Sequence, residues 1–194
     1  MTLALSIAEI RQAATTIAPH VCRTPLRVSS GLSQYNGAEV LLKLETMQNT
    51  GAFKLRGATN KLLSLDDAER SAGVIAVSTG NHGRGVAFAA AKLGLRAVVC
   101  MSELVPTVKV EAIRALGAEM VITGKSQDEA EETALAMIAE LGLVYVSPFD
   151  DRHVIAGQGT IGLELMAAVP ALDTIIVPVS GGGLIGGISV AAKA

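Results

Sequence analysis

Tryptophan is missing from this chain, and aromatic residues of all kinds make up only 3% of its 194 residues. Half of the residues are nonetheless hydrophobic. The core must therefore be aliphatic and alanine-rich, a composition that suits parallel strands covered on both faces by helices. Charge is scarce at 18%, and 16 basic against 18 acidic residues leave a net charge of -2. Without a basic surplus there is no electrostatic footprint for nucleic acid. No apolar run approaches the ~20 residues that cross a bilayer, so neither a nucleic-acid nor a membrane partner is expected. The first residues also lack the basic head and long apolar stretch of a secretory signal. Cys22 and Cys100 offer neither a disulfide framework nor a metal-ligand spacing, and His20, His82 and His153 are too scattered for zinc. No metal site is expected, and reduced thiols fit a cytoplasmic protein.

What the chain does have is regular alternation. Its length allows one or two domains. Ser6 and Glu9 form a capping-box pattern that opens a helix closed by Pro19. Short β-branched runs at 73–77, 95–100, 119–123 and 143–146 are separated by helical patterns at 83–93, 107–116 and 127–141. Four strands with intervening helices specify a parallel sheet wound through βαβ units. Gly94, Gly117 and Gly142 each stand just past a helix end, where a left-handed residue is wanted. The acidic residues Asp128, Glu129, Glu131 and Glu132 favour the dipole at the start of the third helix, and a solvated face accounts for them. Beyond Pro148, the segment Ala156-Gly157-Gln158-Gly159-Thr160 is expected to open a helix through Ala168, and 173–179 to form a fifth strand.

Three glycine-bearing segments carry the chemistry. Asn49-Thr50-Gly51-Ala52-Phe53-Lys54-Leu55-Arg56-Gly57-Ala58 sets one lysine between a turn and a helix start, among small residues that admit a bulky ligand. Such a lysine forms a Schiff base if its amine is kept partly neutral. In Ser78-Thr79-Gly80-Asn81-His82-Gly83, backbone N–H groups at a helix start can hold a carboxylate. An Asn-initiated helix cap is the plainer reading of that loop. Ser180-Gly181-Gly182-Gly183-Leu184 lies between a strand and a helix, where N–H groups converge on a phosphate. No lysine and Ser/Thr pair follows, so it is not a Walker A loop. Gly181, Gly183 and Gly186 spell G-x-G-x-x-G, which leaves open a nucleotide-binding α/β module, or a tight turn that needs glycine only for its backbone.

Taken together, these segments resemble the fold-type II enzymes that use pyridoxal 5'-phosphate (PLP), within them the threonine/serine dehydratase and serine racemase group. The likeness also runs through Arg23-Thr24-Pro25-Leu26, Lys43-Leu44-Glu45, Pro148-Phe149-Asp150 and Gly157-Gln158-Gly159-Thr160, and covers nearly the whole chain. Lys54-Leu55-Arg56-Gly57 is similar to the dehydratase form rather than to the K-D-R of cysteine and threonine synthases. Within the group, the chain looks like the dehydratase-like proteins of ectoine or hydroxyectoine utilisation.

The resemblance implies an α/β fold of two open parallel-sheet domains, tryptophan synthase β-like: a small domain at 49–146, and a larger one from 1–48 and 147–194 that is incomplete at its C-terminal side. It implies a lyase that converts a β-hydroxy amino acid to a 2-oxo acid and ammonia, and a homo-oligomer, a dimer, as the complete form. Lys54 would carry the cofactor and then serve as base. Phe53 would pack beside the ring and Asn81 would contact its phenolic oxygen. Gly181, Gly182, Gly183 and Leu184 would bind the phosphate, and Ser78, Thr79, Gly80, Asn81 and His82 the substrate carboxylate. Ala52 departs from the family's usual serine. Thr79 stands where racemases place a catalytic serine and many dehydratases an alanine, so its hydroxyl is a second candidate catalytic group. The residue facing the pyridine nitrogen would lie past Ala194, which makes the chain itself an expected weak binder without turnover. A non-catalytic fragment is the remaining alternative.

Overall fold

The computed structural model describes residues 5–194. Helix α1 (Ile7–Ile17) starts under the expected capping box, in which the Ser6 hydroxyl accepts from the Glu9 N–H and the Glu9 carboxylate accepts from Ser6. A short antiparallel pair follows, β1 (Leu26–Val28) and β2 (Leu41–Lys43), with α2 (Ser30–Asn36) between them. A 3-10 turn at Glu45–Met47 leads to α3 (Lys54–Leu63) and the short α4 (Asp67–Ala72). The pair β1–β2 and the helix α4 are not among the expected elements. Three-residue strands and a six-residue helix carry too little periodicity to register in sequence.

From here the chain winds regularly: β3 (Val74–Val77), α5 (Asn81–Leu93), β4 (Ala97–Met101), α6 (Thr107–Arg114), β5 (Glu119–Ile122), α7 (Gln127–Leu141) and β6 (Val144–Tyr145). These are the four expected strands, paired in parallel in the order β5-β4-β3-β6. The central strands β3 and β4 are buried throughout. Val74 and Ala76 pack into a core shared with Leu55, Leu62, Val86 and Ile113, while Ile75 and Val77 face Ala130, Ala134 and Leu143 on the other side. Gly94 and Gly142 end α5 and α7 at φ 66° and 67°, as their positions suggest.

Two expectations fail beyond β6. Helix α8 (Arg152–Ala168) begins four residues earlier than expected, because the Asp151 carboxylate caps it by accepting from the Val154 N–H. The Gly157–Thr160 stretch therefore lies inside the helix, where its glycines serve packing. A Cβ on Gly157 would come within 2.6 Å of the Arg56 carbonyl and one on Gly57 within 2.7 Å of the Val154 carbonyl, so α3 and α8 cross backbone to backbone. The second failure is residues 173–179, which form no strand. The alternation is there, since Ile175 and Val177 pack against Ile161, Leu165 and Ile188 while Ile176 is 93% exposed. Among the described residues no neighbouring strand supplies the hydrogen-bond ladder that makes such a segment a strand. Helix α9 (Gly183–Ala192) closes the described chain, packed on α8.

Candidate functional site

In the sheet, β4 and β5 extend to one side of β3 and β6 returns to the other. Open α/β sheets bind ligands outside the carboxyl ends of strands, at the point where strand order reverses. That crevice lies between the loop after β3, residues 78–80, and the connector after β6, residues 146–151.

Lys54 is the first residue of α3 and is half-buried. Its Nζ donates to the Pro148 carbonyl at 2.5 Å and stands 5.3 Å from the centroid of the Phe53 ring. Burial pushes the Lys54 amine below its ordinary pKa, the direction that makes it a nucleophile toward a carbonyl. A Cβ on Gly85 would come within 3.2 Å of the Leu55 backbone nitrogen, so α5 also runs close against the start of α3.

His82, in the first turn of α5, is buried and its Nε2 bonds the Val146 carbonyl at 2.8 Å. Burial pushes its pKa down to about 4, against the pull of the Val146 carbonyl, and the nearby positive charge of Lys54 lowers it further. A neutral ring bonded to a carbonyl carries its proton on Nε2. Its Nδ1 is then a buried acceptor without a protein partner.

The glycine loop meets the same connector from the other side. Phe149 packs against Gly181 and Gly183, and the Ser147 hydroxyl fixes the turn by accepting from the Phe149 and Asp150 N–H groups. Leu184 and Phe53 belong to one apolar cluster with Ile161 and Ile188. Lys54, Phe53, His82, Gly181, Gly183 and Leu184 thus converge through residues 146–149. Ser78, Thr79 and Gly80 form the half-buried loop beside them, where the Ser78 hydroxyl accepts from the Gly80 N–H at 3.3 Å. Thr79 and Asn81 make no side-chain hydrogen bond among the described residues, and Asn81 is exposed. Gly80, not Asn81, occupies the N-cap of α5, and no side chain caps that helix.

The helix starts here are bare. Neither Phe53 before α3, Gly80 before α5 nor Gly182 before α9 supplies a side-chain cap. Among the described residues, the N–H groups of Gly181 to Ile185 and of Asn81 to Gly83 meet no protein acceptor. Gly182 has φ 88° with open space where a Cβ would stand.

Sequence reasoning missed one component, a buried ion cluster beneath Lys54. Arg56 is 1% exposed, and its guanidinium donates to both Glu45 oxygens at 2.9 Å and to Glu164 at 2.6 Å and 3.1 Å. Lys43 shares Glu164 at 2.5 Å. The signal was present in Lys43-Leu44-Glu45 and in Arg56, but Glu164 lies too far along the chain for spacing to connect it. A cavity of about 340 Å³ opens against this cluster beside Ile17, Val21 and Leu163.

These residues fit a phosphorylated aldehyde: one desolvated amine for the carbonyl, and an open glycine loop with bare N–H groups at a helix start for the phosphate. Residues 17–194 match the family model described as pyridoxal-phosphate dependent enzyme, and the chain belongs to that family, whose cofactor is PLP. The L-threonine ammonia-lyase of Thermotoga maritima is 48% identical over 97% of this chain and 47% of its own length. A catabolic L-threonine dehydratase of Staphylococcus aureus is 45% identical over 97% of this chain and 55% of its own. The structure of maize serine racemase superposes with a TM-score of 0.95 at 41% identity, covering 98% of this chain and 58% of that protein. The chain therefore spans about half the length of the curated relatives it matches. These relatives bear out the fold-type II assignment and the dehydratase-type resemblance.

Proposed function

We propose that this chain carries the lysine, asparagine-loop and glycine-loop parts of a PLP-dependent ammonia-lyase that converts a β-hydroxy amino acid to a 2-oxo acid and ammonia. The observation that carries the reading is the Lys54 amine, desolvated at a helix start and surrounded by two further bare helix starts. PLP, when bound, supplies an aldehyde that condenses with amines and a ring that draws electrons from the substrate's α-carbon.

The chain's own groups divide the remaining work. Gly181, Gly182, Gly183 and Leu184 hold phosphate through their N–H groups, and the α9 dipole adds to that attraction. Phe53 would flank the ring, and Asn81, whose side chain makes no hydrogen bond among the described residues, would contact the phenolic oxygen. The bare N–H groups at the start of α5, with Ser78, Thr79 and Gly80, hold the substrate carboxylate. Lys54, held below its ordinary pKa, is the base for the α-proton. Threonine's β-hydroxyl is the leaving group this reading favours, because relatives at 48% and 45% identity are named L-threonine ammonia-lyase and L-threonine dehydratase. The Thr79 hydroxyl, which has no hydrogen-bond partner among the described residues, would move a proton on the opposite face in this reading.

The finer readings follow from the resemblance: a small domain at 49–146 joined to part of a larger one at 1–48 and 147–194, a dimeric cytoplasmic enzyme, and a place in ectoine or hydroxyectoine utilisation. Incubation with threonine or serine plus PLP, read as 2-oxo acid formation, tests the activity in the chain and in any longer protein that contains it. Release of 2-oxo acid that depends on Lys54 supports the reading. Ligand binding that persists unchanged in Lys54→Ala would instead favour a nucleotide-binding module.

A further inference from the structure

The glycine loop contains three consecutive glycines, and the structure gives them different reasons to be glycine. Gly182 alone has positive φ, at 88°, and it has open space around a would-be Cβ. Backbone conformation therefore requires glycine at 182. Gly181 and Gly183 carry no such φ. A Cβ on Gly181 would overlap the Phe149 ring, and one on Gly183 would come within 2.6 Å of the Phe149 carbonyl and 3.0 Å of its Cα. These two glycines are missing side chains because Phe149 occupies that space.

Phe149 is itself well fixed. Its N–H and that of Asp150 donate to the buried Ser147 hydroxyl, at 3.4 Å and 2.9 Å. The preceding carbonyl, of Pro148, accepts from Lys54 Nζ. Phe149 as a whole is 43% exposed, so it is not held in place by core burial alone.

We propose that Phe149 is a positioning residue that sets the height of the glycine loop over the start of α9, and so gives the site its preference for a phosphorylated over an unphosphorylated aldehyde. The proposal rests on the glycine loop being the phosphate site, as read above. The ring acts as a spacer: it stands between the connector and Gly181, and the loop's N–H groups are aimed by resting on it. Because the Pro148 carbonyl also holds Lys54, the separation of the amine from the glycine loop is set through the same connector, residues 146–149.

A double-mutant cycle on the purified chain tests the spacer without any ligand. Gly181→Ala should shift the urea unfolding equilibrium by about tenfold or more in the parent, and by less than about threefold when Phe149→Ala has already vacated the space. Equal effects in the two backgrounds overturn the proposal. The second readout compares PLP with pyridoxal, which lacks the phosphate. Phe149→Ala should weaken PLP by about tenfold or more while changing pyridoxal by less than about threefold, and Phe149→Leu, which keeps most of the volume, should restore the preference. Equal losses for both aldehydes would reduce Phe149 to a structural residue and overturn the positioning role. Failure of the parent chain to take up PLP at all would count against the functional reading, whereas the unfolding cycle would still decide the spacer.

Discussion

Five helices of this protein begin under a side chain that closes their exposed N–H groups: Ser6, Ser29, Asp66, Ser126 and Asp151. The three that meet around Lys54 begin bare, behind Phe53, Gly80 and Gly182. A side-chain cap contributes about 1 kcal/mol relative to alanine, and the glycines at two of these starts lose only a few tenths of that while leaving the first N–H groups open. Bare N–H groups on a positive dipole end are what an anion needs, and PLP with an amino-acid substrate brings a phosphate and a carboxylate. Most helix starts away from Lys54 are capped by a side chain, whereas at α5 and α9 the first N–H groups meet no acceptor among the described residues; at α3 the Gly57 N–H is taken up by the Gln158 side chain. Helix α6, behind Pro106, also lacks a cap, but it follows β4, away from the strand-order reversal.

The contrast can be broken most severely at Lys54. Lys54→Ala removes the desolvated amine at the start of α3, and covalent uptake of PLP should fall by about a thousandfold or more, measured by borohydride trapping. Next comes the ion cluster around Arg56 in α3. Arg56→Met leaves Glu45 and Glu164 buried without their main partner, and urea unfolding should show a loss of about 3–5 kcal/mol. His82 gives a pH-dependent effect. Its folded pKa of about 4 lies below the ordinary 6.5, so the unfolded chain binds the extra proton first. Its contribution is therefore complete above pH ~6.5 and is lost as pH falls toward 4, by about 3 kcal/mol in all. His82→Gln, which keeps a donor for Val146, should flatten that part of the stability profile relative to the parent. The smallest effect separates the two kinds of helix start directly. Ser126→Ala should cost about 1 kcal/mol in unfolding free energy and leave PLP uptake unchanged, whereas Asn81→Ala should leave stability within about 0.5 kcal/mol and weaken uptake.

Much of this arrangement was legible in the sequence because it is local. Strands β3 to β6 announce themselves by β-branched runs between helical periods, Gly94 and Gly142 mark helix ends, and Lys54 stands out within its glycine-bearing run. What was not legible depends on distant partners. Residues 173–179 have strand alternation but no neighbour to pair with, and Asp151 captured the start of α8 ahead of the glycines expected to begin it. Gly157 was expected to open a helix and instead lies inside one, at a crossing point against Arg56. The connector 146–149 was noticed only as Pro148-Phe149-Asp150. Its importance lies in backbone carbonyls, at Val146 and Pro148, whose partners come from α5 and α3 and leave no trace in local composition.

The arrangement around Lys54 is tested most directly by reductive trapping of PLP on the intact chain, followed by peptide mass mapping. Label should concentrate at Lys54 as PLP is raised, in keeping with weak uptake by this chain, and inorganic phosphate should compete for it. Label spread over exposed lysines such as Lys109 and Lys125, with Lys54 unmodified, would contradict a site built from these three helix starts.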